Sequence, residues 1–283
     1  PCSHFGKTPP CADAIIDAGI ARVFIAMEDP NPLVSGAGIR KLKRAGIEVV
    51  VGMGEEEART VNKVFIKNIR TSKPYVIVKY AMSADGYIAG KDGDSKWLSN
   101  EESRAIVHHI RHNVQAVLVG SGTVIADDPM LSARLHPEGY QPRPVILDIN
   151  GDLPHTQFAA LRHDAVLITA NEKLLAQTDA KVYTIPKKER ITDVLFDVFA
   201  REKISSVLVE GGSRTIGLFL GEHIFDEAVV FMCPLFLLGG TSAARFEQGV
   251  RVSDAVRLCR TEIRTIGDNV VMKGYREHVY GSC

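Results

Sequence analysis

Residues 206–217 read SVLVEGGSRTIG, and this stretch decides the fold class of the chain. The apolar run Val207–Val209 has the character of a strand buried on both faces, which is typical of a parallel sheet covered by helices. Two glycines then end the run and open a helical segment that continues to Leu220. An order of strand, glycine turn and helix predicts an α/β fold with a mostly parallel central sheet.

The same alternation of short apolar runs and helical spacing extends in both directions from this stretch. Ser, Lys and Pro interrupt it around Thr71–Pro74, so we place a boundary there, with one domain at 1–73 and another at 74–283. In the first domain we predict helices at 12–19, 36–45 and 55–70 and strands at 22–27 and 47–51. In the second we predict strands at 75–81, 116–120, 145–148, 165–169 and 206–210, helices at 100–112, 191–201 and up to 220, a short helix from 123, and β-rich segments at 227–232, 261–266 and 270–275.

Composition restricts the partners. Thirty-four basic residues balance thirty-four acidic ones, so the chain has no overall field that would recruit nucleic acid or an anionic membrane. No apolar run approaches the roughly 20 residues of a membrane span. We therefore expect a cytoplasmic protein that acts on small molecules. Its five cysteines are odd in number and scattered, which favours reduced thiols or metal ligands over a disulfide framework.

Two of these cysteines, Cys2 and Cys11, are candidate zinc ligands. Proline precedes each of them, and Cys11 starts a helical segment, so a rigid frame directs both thiols toward one point. The alternative is a pair of buried structural cysteines. His4 lies only two residues after Cys2 in the sequence, so we do not expect it to be the third zinc ligand. It either lines a pocket or is exposed. A catalytic zinc needs about three protein ligands, so this pair is incomplete.

Glycine-rich junctions follow two of the predicted strands. At Gly211–Gly212, backbone N–H groups and a helix N-terminus could hold a pyrophosphate, or the glycines could simply form a tight turn. The spacing is not the dinucleotide fingerprint Gly-x-Gly-x-x-Gly. A second junction, Gly120–Thr123, also follows a strand. Two such junctions at the carboxyl ends of strands in one sheet favour a nucleotide-binding crevice.

Lys79 and Glu210 are the candidate catalytic residues. Lys79 lies within an apolar strand and is either a charge on an edge strand or an amine that faces a site, and its apolar neighbours favour the second. Glu210 ends an apolar strand just before the glycines, where a solvated carboxylate is least expected. The remaining polar candidates are unremarkable when taken singly: Ser95, Trp97, Arg111, Asp127 and Arg134.

Together these stretches resemble the RibD family of bifunctional riboflavin-biosynthesis proteins. The resemblance covers essentially the whole chain and rests on five strings in the family's order. These strings are PCSHFGKTPPC at 1–11, AMEDPNPLV at 26–34, KYAMSADG at 79–86, GSGTVIADDP at 120–129 and VEGG at 209–212.

The resemblance implies a dihydrofolate-reductase-like reductase domain preceded by the C-terminal part of a cytidine-deaminase-like α/β/α domain. It implies NADPH-dependent reduction of 5-amino-6-(5-phosphoribosylamino)uracil, coupled to zinc-dependent deamination of 2,5-diamino-6-(ribosylamino)pyrimidinone 5′-phosphate. Lys79 and Glu210 would organise the opened sugar. By motif match the NADP contacts are Ala81, Trp97, Thr123, Asp127, Gly212, Ser213, Arg214, Thr215, Ile216, Gly217 and Leu218. The substrate contacts are Ser95, Arg111, Leu131, Arg134 and Glu210, and Cys2 and Cys11 are the zinc ligands.

The chain departs from the family pattern at two points. The family's upstream His-Ala-Glu is absent, so we expect a preceding segment to carry it, and zinc to bind only in an intact deaminase domain. The central strand ends in Asp148–Ile149, where a Ser or Thr is common, so any NADP contact there would use the backbone. The alternatives are a reductase whose deaminase half is lost, a non-catalytic NADP-binding module and a nucleic-acid deaminase, the last disfavoured by the balanced charge. A homo-oligomer, a dimer or tetramer, is expected from the family.

Overall fold

In the computed structural model the described strands form three sheets. The chain divides into two compact units that meet in sequence between Lys73 and Pro74. The structure describes residues 1–5, 8–32, 34–155, 157–162, 164–176, 178–246 and 249–276. Four residues used in the sequence patterns, Gly6, Lys7, Leu33 and Cys283, lie outside these ranges.

The first unit contains a parallel pair of strands, one helix before the first strand and three helices after it. Its elements are α1 Cys11–Asp17, β1 Arg22–Ile25, α2 Ala37–Arg44, β2 Glu48–Val51, α3 Glu55–Val61 and α4 Lys63–Thr71. Its small core is built around Ala12, Ile25, Leu42 and Ile47. The single helix predicted at 55–70 is wrong. Asn62 separates α3 from α4 because its backbone leaves the helical region (φ −97°, ψ 13°) while its side-chain amide donates to the Ala58 carbonyl.

The second unit begins with the long strand that carries Lys79. Its helices are α5 Glu101–His112, α6 Ser121–Asp127, α7 Ile191–Arg201 and α8 Ser213–Gly221. Its strands are β3 Tyr75–Ser83, β4 Tyr87–Ala89, β5 Ala116–Gly120, β6 Arg143–Asp148, β7 Val166–Thr169, β8 Lys181–Thr184, β9 Ser206–Glu210, β10 Glu227–Cys233, β11 Thr241–Ser242, β12 Leu258–Ile266 and β13 Asn269–Arg276. Short 3₁₀ turns lie at Ala159–Leu161, Glu172–Ala176 and Val252–Asp254.

In the described part of this unit, nine strands form one sheet in the order β12-β13-β10-β3-β9-β5-β6-β7-β8. From β10 through β8 every neighbouring pair is parallel, whereas β13 pairs antiparallel with both β10 and β12. The predicted α/β class with a mostly parallel sheet is therefore confirmed. The pattern did not predict β8, a four-residue edge strand. It also did not predict β4 and the two-residue β11, which pair with each other.

Helix α7 and helix α8 pack their apolar faces on the parallel strands. The core joins the alternating strand residues with Leu195, Phe199, Ile216 and Phe219 of these helices, which are nearly or completely buried. Burial of a large apolar side chain of this kind contributes roughly 1.5–3 kcal/mol. The sheet is therefore a stiff platform for side chains at its edge.

The strands of this platform end at different levels. Lys79 pairs with Glu210, the last residue of β9, but β3 and β10 continue side by side as far as the pair Ser83 and Cys233. Both β5 and β9 turn into helices at the same level. The stagger leaves a step at the carboxyl edge of the sheet, where ligands bind in open α/β sheets.

The cysteine prediction holds in part. Cys2, Cys11 and Cys233 are free thiols. Cys259 is disulfide-bonded, so the expectation of reduced thiols is wrong at that position, where the cysteine belongs to the outer strand β12.

Among the helices in the described ranges, none combines the length and the apolar character needed to cross a bilayer.

Candidate active site

Three charged side chains meet at the step where β9 ends. Arg111 of α5 binds Glu210 in a bidentate manner, with Nε 2.6 Å from Oε1 and Nη2 3.2 Å from Oε2. Lys79 Nζ lies 3.8 Å from Oε2 of the same carboxylate and 5.5 Å from the centroid of the Phe231 ring. The three charged side chains are only 12–15% exposed. We call Lys79, Arg111 and Glu210 the charged triad.

Charge and burial work against each other within the charged triad. Burial favours the neutral form of Glu210, but the positive charges of Arg111 and Lys79 outweigh it and hold the pKa of Glu210 below its usual range. Burial lowers the pKa of Lys79; Arg111 adds to that effect and Glu210 opposes it. The site thus combines a firmly ionised carboxylate with an amine that gives up its proton more readily than a lysine in water.

The loop after α6 secures Arg111 from a second direction. Arg111 Nη1 donates to the Ser132 carbonyl at 3.1 Å. Leu131, a predicted substrate contact, is buried and adopts a left-handed φ of 51° just before this carbonyl. Gln141 closes the loop, since its side chain accepts from Ala133 N at 2.9 Å and donates to the carbonyl of His136 at 2.9 Å. The loop therefore presents a fixed carbonyl to Arg111.

The two glycine junctions are neighbours, as the sequence predicted. Gly212 N donates to Thr123 Oγ1 at 3.1 Å, which joins the start of α8 to the first turn of α6. A Cβ on Gly120 would lie 2.5 Å from Thr215 Oγ1, so a larger residue at position 120 would require the Thr215 side chain to move. In the described structure no side chain caps α8, and its first N–H groups remain able to bind an anion.

The loop between β4 and α5 carries two predicted site residues. Ser95 is half-buried, and Trp97 is 67% exposed with its ring 4.5 Å from the Arg104 guanidinium. Lys96 Nζ lies 3.6 Å from Asp127 Oδ1, so this loop reaches the end of α6. The structure thereby brings Trp97 and Asp127, both predicted NADP contacts, to the same region.

The other predicted residues divide into two groups. Ala81 is half-buried on β3 two residues after Lys79, Ser213 and Thr215 are buried in the first turn of α8, and Arg134 and Arg214 are exposed. Ile216 is completely buried in the core, and its N–H bonds the Gly212 carbonyl within the helix. Gly217 is also buried, against the Arg245 backbone, and Leu218 packs against the core. The structure therefore directs Ile216 and Gly217 into the protein and packs the half-buried Leu218 against the core.

Sequence reasoning missed two polar features near the site. Asp85 accepts hydrogen bonds from Ser83 Oγ, Leu237 N and Leu238 N at 2.5–3.1 Å and so ties the loop after β3 to the loop after β10. His108 is buried beside Arg111 on α5 and was not singled out. Its position one helical turn from Arg111 was the available signal.

In the first unit the two predicted metal ligands lie together. The backbone N–H of Cys11 donates to Cys2 Sγ at 3.2 Å, and this contact, with a further one from the Cys11 side chain, lowers the pKa of the Cys2 thiol. Within the described ranges no group of three His, Cys, Asp or Glu side chains could hold a metal ion. A catalytic zinc needs about three protein ligands, so the described residues do not complete such a site.

Comparison with known proteins connects this geometry to one family. A family model for the RibD C-terminal domain matches residues 74–272. The riboflavin biosynthesis protein RibD of Aquifex aeolicus (strain VF5) is 39% identical over 277 residues, covering 96% of this chain and 77% of the relative. The RibD protein of Bacillus amyloliquefaciens is 40% identical over 285 residues, covering 95% of this chain and 76% of the relative.

Solved structures agree. A structure of Acinetobacter baumannii RibD is similar with a TM-score of 0.84 at 33% identity and covers 98% of this chain and 78% of that one. A Thermotoga maritima protein described as a diaminohydroxyphosphoribosylaminopyrimidine deaminase/5-amino-6-(5-phosphoribosylamino)uracil reductase matches with a TM-score of 0.85 at 33% identity, covering 98% and 77%.

Proposed function

Because this chain belongs to the RibD family of riboflavin-biosynthesis proteins, we propose that it reduces 5-amino-6-(5-phosphoribosylamino)uracil to the ribitylamino product with NADPH. The domain matched over residues 74–272 is a RibD reductase domain, so the chain is an oxidoreductase. The observation that carries the finer proposal is the charged triad beside the start of α8, where one buried carboxylate binds two cations next to a helix N-terminus that no side chain caps.

The residues present fit a phosphorylated dinucleotide. The open N–H groups at the start of α8 suit a pyrophosphate, and Thr123 keeps Gly212 in place at that turn. Ala81, Trp97, Asp127 and the backbone at Ser213 and Arg214 would line the remainder. NADPH, when bound, supplies the hydride. Ile216, Gly217 and Leu218 would contribute through the stability of α8 only.

The charged triad would hold the sugar of the substrate. Reduction of the opened ribosyl chain adds a hydride at C1′ and requires one proton to balance it. The Lys79 ammonium is suited to donate that proton, since burial lowers its pKa, and Glu210 is suited to accept hydrogen bonds from sugar hydroxyls. Arg111 keeps the carboxylate in place, and the exposed Arg134 is suited to the substrate phosphate.

Cys2 and Cys11 fit two positions of a zinc site, but the described residues supply no third ligand beside them. The coupled deamination named in the Thermotoga relative's description would need a complete zinc site, with an acidic residue for proton transfer.

The test is an NADPH oxidation assay with the deaminated ribosylaminouracil phosphate as substrate. Lys79→Ala should lower kcat by about 10²–10⁴-fold, the usual contribution of a positioned acid or base. Glu210→Gln should also lower turnover, because it removes the charge that binds Lys79 and Arg111. Glu222→Gln is the matched control, because Glu222 forms an exposed ion pair with Arg190 after α8. Near-normal turnover in the two site variants would refute the assigned roles. Stoichiometric NADPH binding without substrate-dependent oxidation would favour the non-catalytic binding module.

A further inference from the structure

A segment of residues 234–245 leaves β10 and reaches the start of α8, and we call it the strap. Asp85 binds its first part. The carboxylate accepts hydrogen bonds from Leu237 N at 3.1 Å through Oδ1 and from Leu238 N at 2.8 Å through Oδ2. Ser83 Oγ donates to Oδ1 at 2.5 Å. These hydrogen bonds, led by the one from Ser83, outweigh desolvation and lower the pKa of Asp85, so an ionised acceptor binds the strap.

The strap turns sharply directly at this attachment. Leu238 has a left-handed φ of 57°, an unfavourable conformation for a residue with a side chain, and Gly239 and Gly240 also have positive φ. A Cβ on Gly240 would collide with the Ala89 carbonyl oxygen, so the turn lies against β4. A strained turn of this kind persists where its surroundings hold it, and Asp85 binds the N–H group of the strained Leu238 itself.

The far end of the strap contacts the first turn of α8. Arg245 N donates to the Ser213 carbonyl at 2.9 Å, and the hydroxyl oxygens of Ser242 and Ser213 lie 3.3 Å apart. The Arg245 backbone also lies against Gly217, where it leaves no room for a Cβ. The strap therefore joins Asp85, two residues after the end of β3, to the helix end that we assign to the pyrophosphate.

We propose that Asp85 is a positioning residue for the dinucleotide site. Through the strap it fixes Ser213 at the start of α8, and so keeps the first N–H groups of that helix in place for the pyrophosphate. The alternative is that Asp85 only closes the turn in which it lies, where Gly86 N donates to the Ser83 carbonyl. The effect on NADPH rests on the proposed function, whereas the link from Asp85 to Ser213 along the strap does not.

Three substitutions separate the two roles. Asp85→Asn keeps the shape of the side chain, but its amide can accept from only one of the two strap N–H groups and turns its own N–H toward the other. Ser83→Ala removes a hydrogen bond of the turn and leaves both strap contacts in place. Asp92→Asn is the matched control, because Asp92 is an exposed acid in the loop between β4 and α5.

The direct readout is hydrogen exchange of the strap amides, followed by nuclear magnetic resonance. In Asp85→Asn we expect about tenfold faster exchange at Arg245 and at Leu237 or Leu238, since one hydrogen bond to a charged group contributes about a factor of ten or more. Ser83→Ala and Asp92→Asn should keep the wild-type rate at Arg245. Unchanged exchange at Arg245 in Asp85→Asn, or an equal rise in Ser83→Ala, would overturn the proposal.

Coenzyme binding provides the second readout. The dissociation constant of NADPH, measured by its fluorescence without the second substrate, should rise about tenfold in Asp85→Asn, while the KM of the ribosylaminouracil phosphate changes by less than about twofold. A general loss of structure would weaken the binding of both molecules, so equal weakening would contradict the positioning role.

A variant at the far end of the strap decides the matter if Asp85→Asn does not fold. Ser242 is exposed, and Ser242→Ala removes the hydroxyl that faces Ser213. NADPH binding should weaken about fivefold in this variant, and unchanged binding would refute the proposal. If the wild-type protein does not bind NADPH, the proposed function fails, while the exchange at Arg245 still decides the link between Asp85 and α8.

Discussion

Replacing Arg111 with methionine would leave Glu210 buried with its weaker partner. The change removes two contacts to the carboxylate, at 2.6 and 3.2 Å, and one to the Ser132 carbonyl at 3.1 Å. Lys79 remains at 3.8 Å. Removing one partner of a buried ion pair costs about 3–5 kcal/mol, and because Lys79 persists we expect the lower end, about 3 kcal/mol near neutral pH. For a unit of this size the thermal midpoint should fall by about 6–12 °C.

The loss should depend on pH in a defined direction. In the wild type, the cations hold the pKa of Glu210 below its unfolded value, so its contribution is present above about pH 4 and is lost as the pH falls through the lower folded value. Without Arg111, the effect of burial should prevail and raise the pKa above the unfolded value. The variant must then bury an unfavourable charge as the pH rises, so its deficit should be larger at about pH 8 than at about pH 5.

The assay is urea and thermal unfolding of both proteins at the two pH values, followed by fluorescence. Trp97 is the single tryptophan of the sequence and lies in the second unit, so its signal follows the unit that contains the charged triad. Arg201→Met is the control, because Arg201 forms an exposed pair with Asp197 one turn away, and such a pair is worth less than about 1 kcal/mol. A deficit no larger than that of the control, or one equal at both pH values, would refute the reasoning.

Three further predictions concern the frame around the site. Gly217→Ala should strongly destabilise the protein, because the new Cβ would lie 2.0 Å from the Arg245 carbonyl oxygen; an unchanged thermal midpoint would show that the two segments separate freely. Asn100→Ala should cost about 1–2 kcal/mol in urea unfolding, because the Asn100 side chain caps α5 through Ser103 N and also bonds the turn between β12 and β13, and a loss near zero would contradict this. Glu202→Gln should remove a loss of stability that the wild type shows between about pH 4 and pH 2, because hydrogen bonds from Tyr183 and two cations outweigh burial and lower the pKa of Glu202 to about 2. If the free energy of unfolding of both proteins falls by the same amount over this pH range, the prediction is wrong.

The sequence alone determined the fold class and predicted that the two glycine junctions are neighbours. Three elements form with the predicted bounds: strands 116–120 and 206–210 and helix 191–201. Their bounds are predictable because apolar periodicity, and glycines at the ends of segments, are local signals. The two glycine junctions were expected side by side, and Gly212 and Thr123 are hydrogen-bonded. The same reading identified Lys79 and Glu210 as unusual, since a charge inside an apolar strand can be recognised without coordinates.

The tertiary structure decided what those charges contact. Arg111 and Glu210 are 99 residues apart in sequence, and only the pairing of β3, β5 and β9 brings them within 2.6 Å. The inward packing of Ile216 and Gly217 depends on the direction of α8. Such contacts are set by burial and by how strands order in the sheet, which are properties of the whole unit, whereas the patterns read from the sequence report only each segment's own preference.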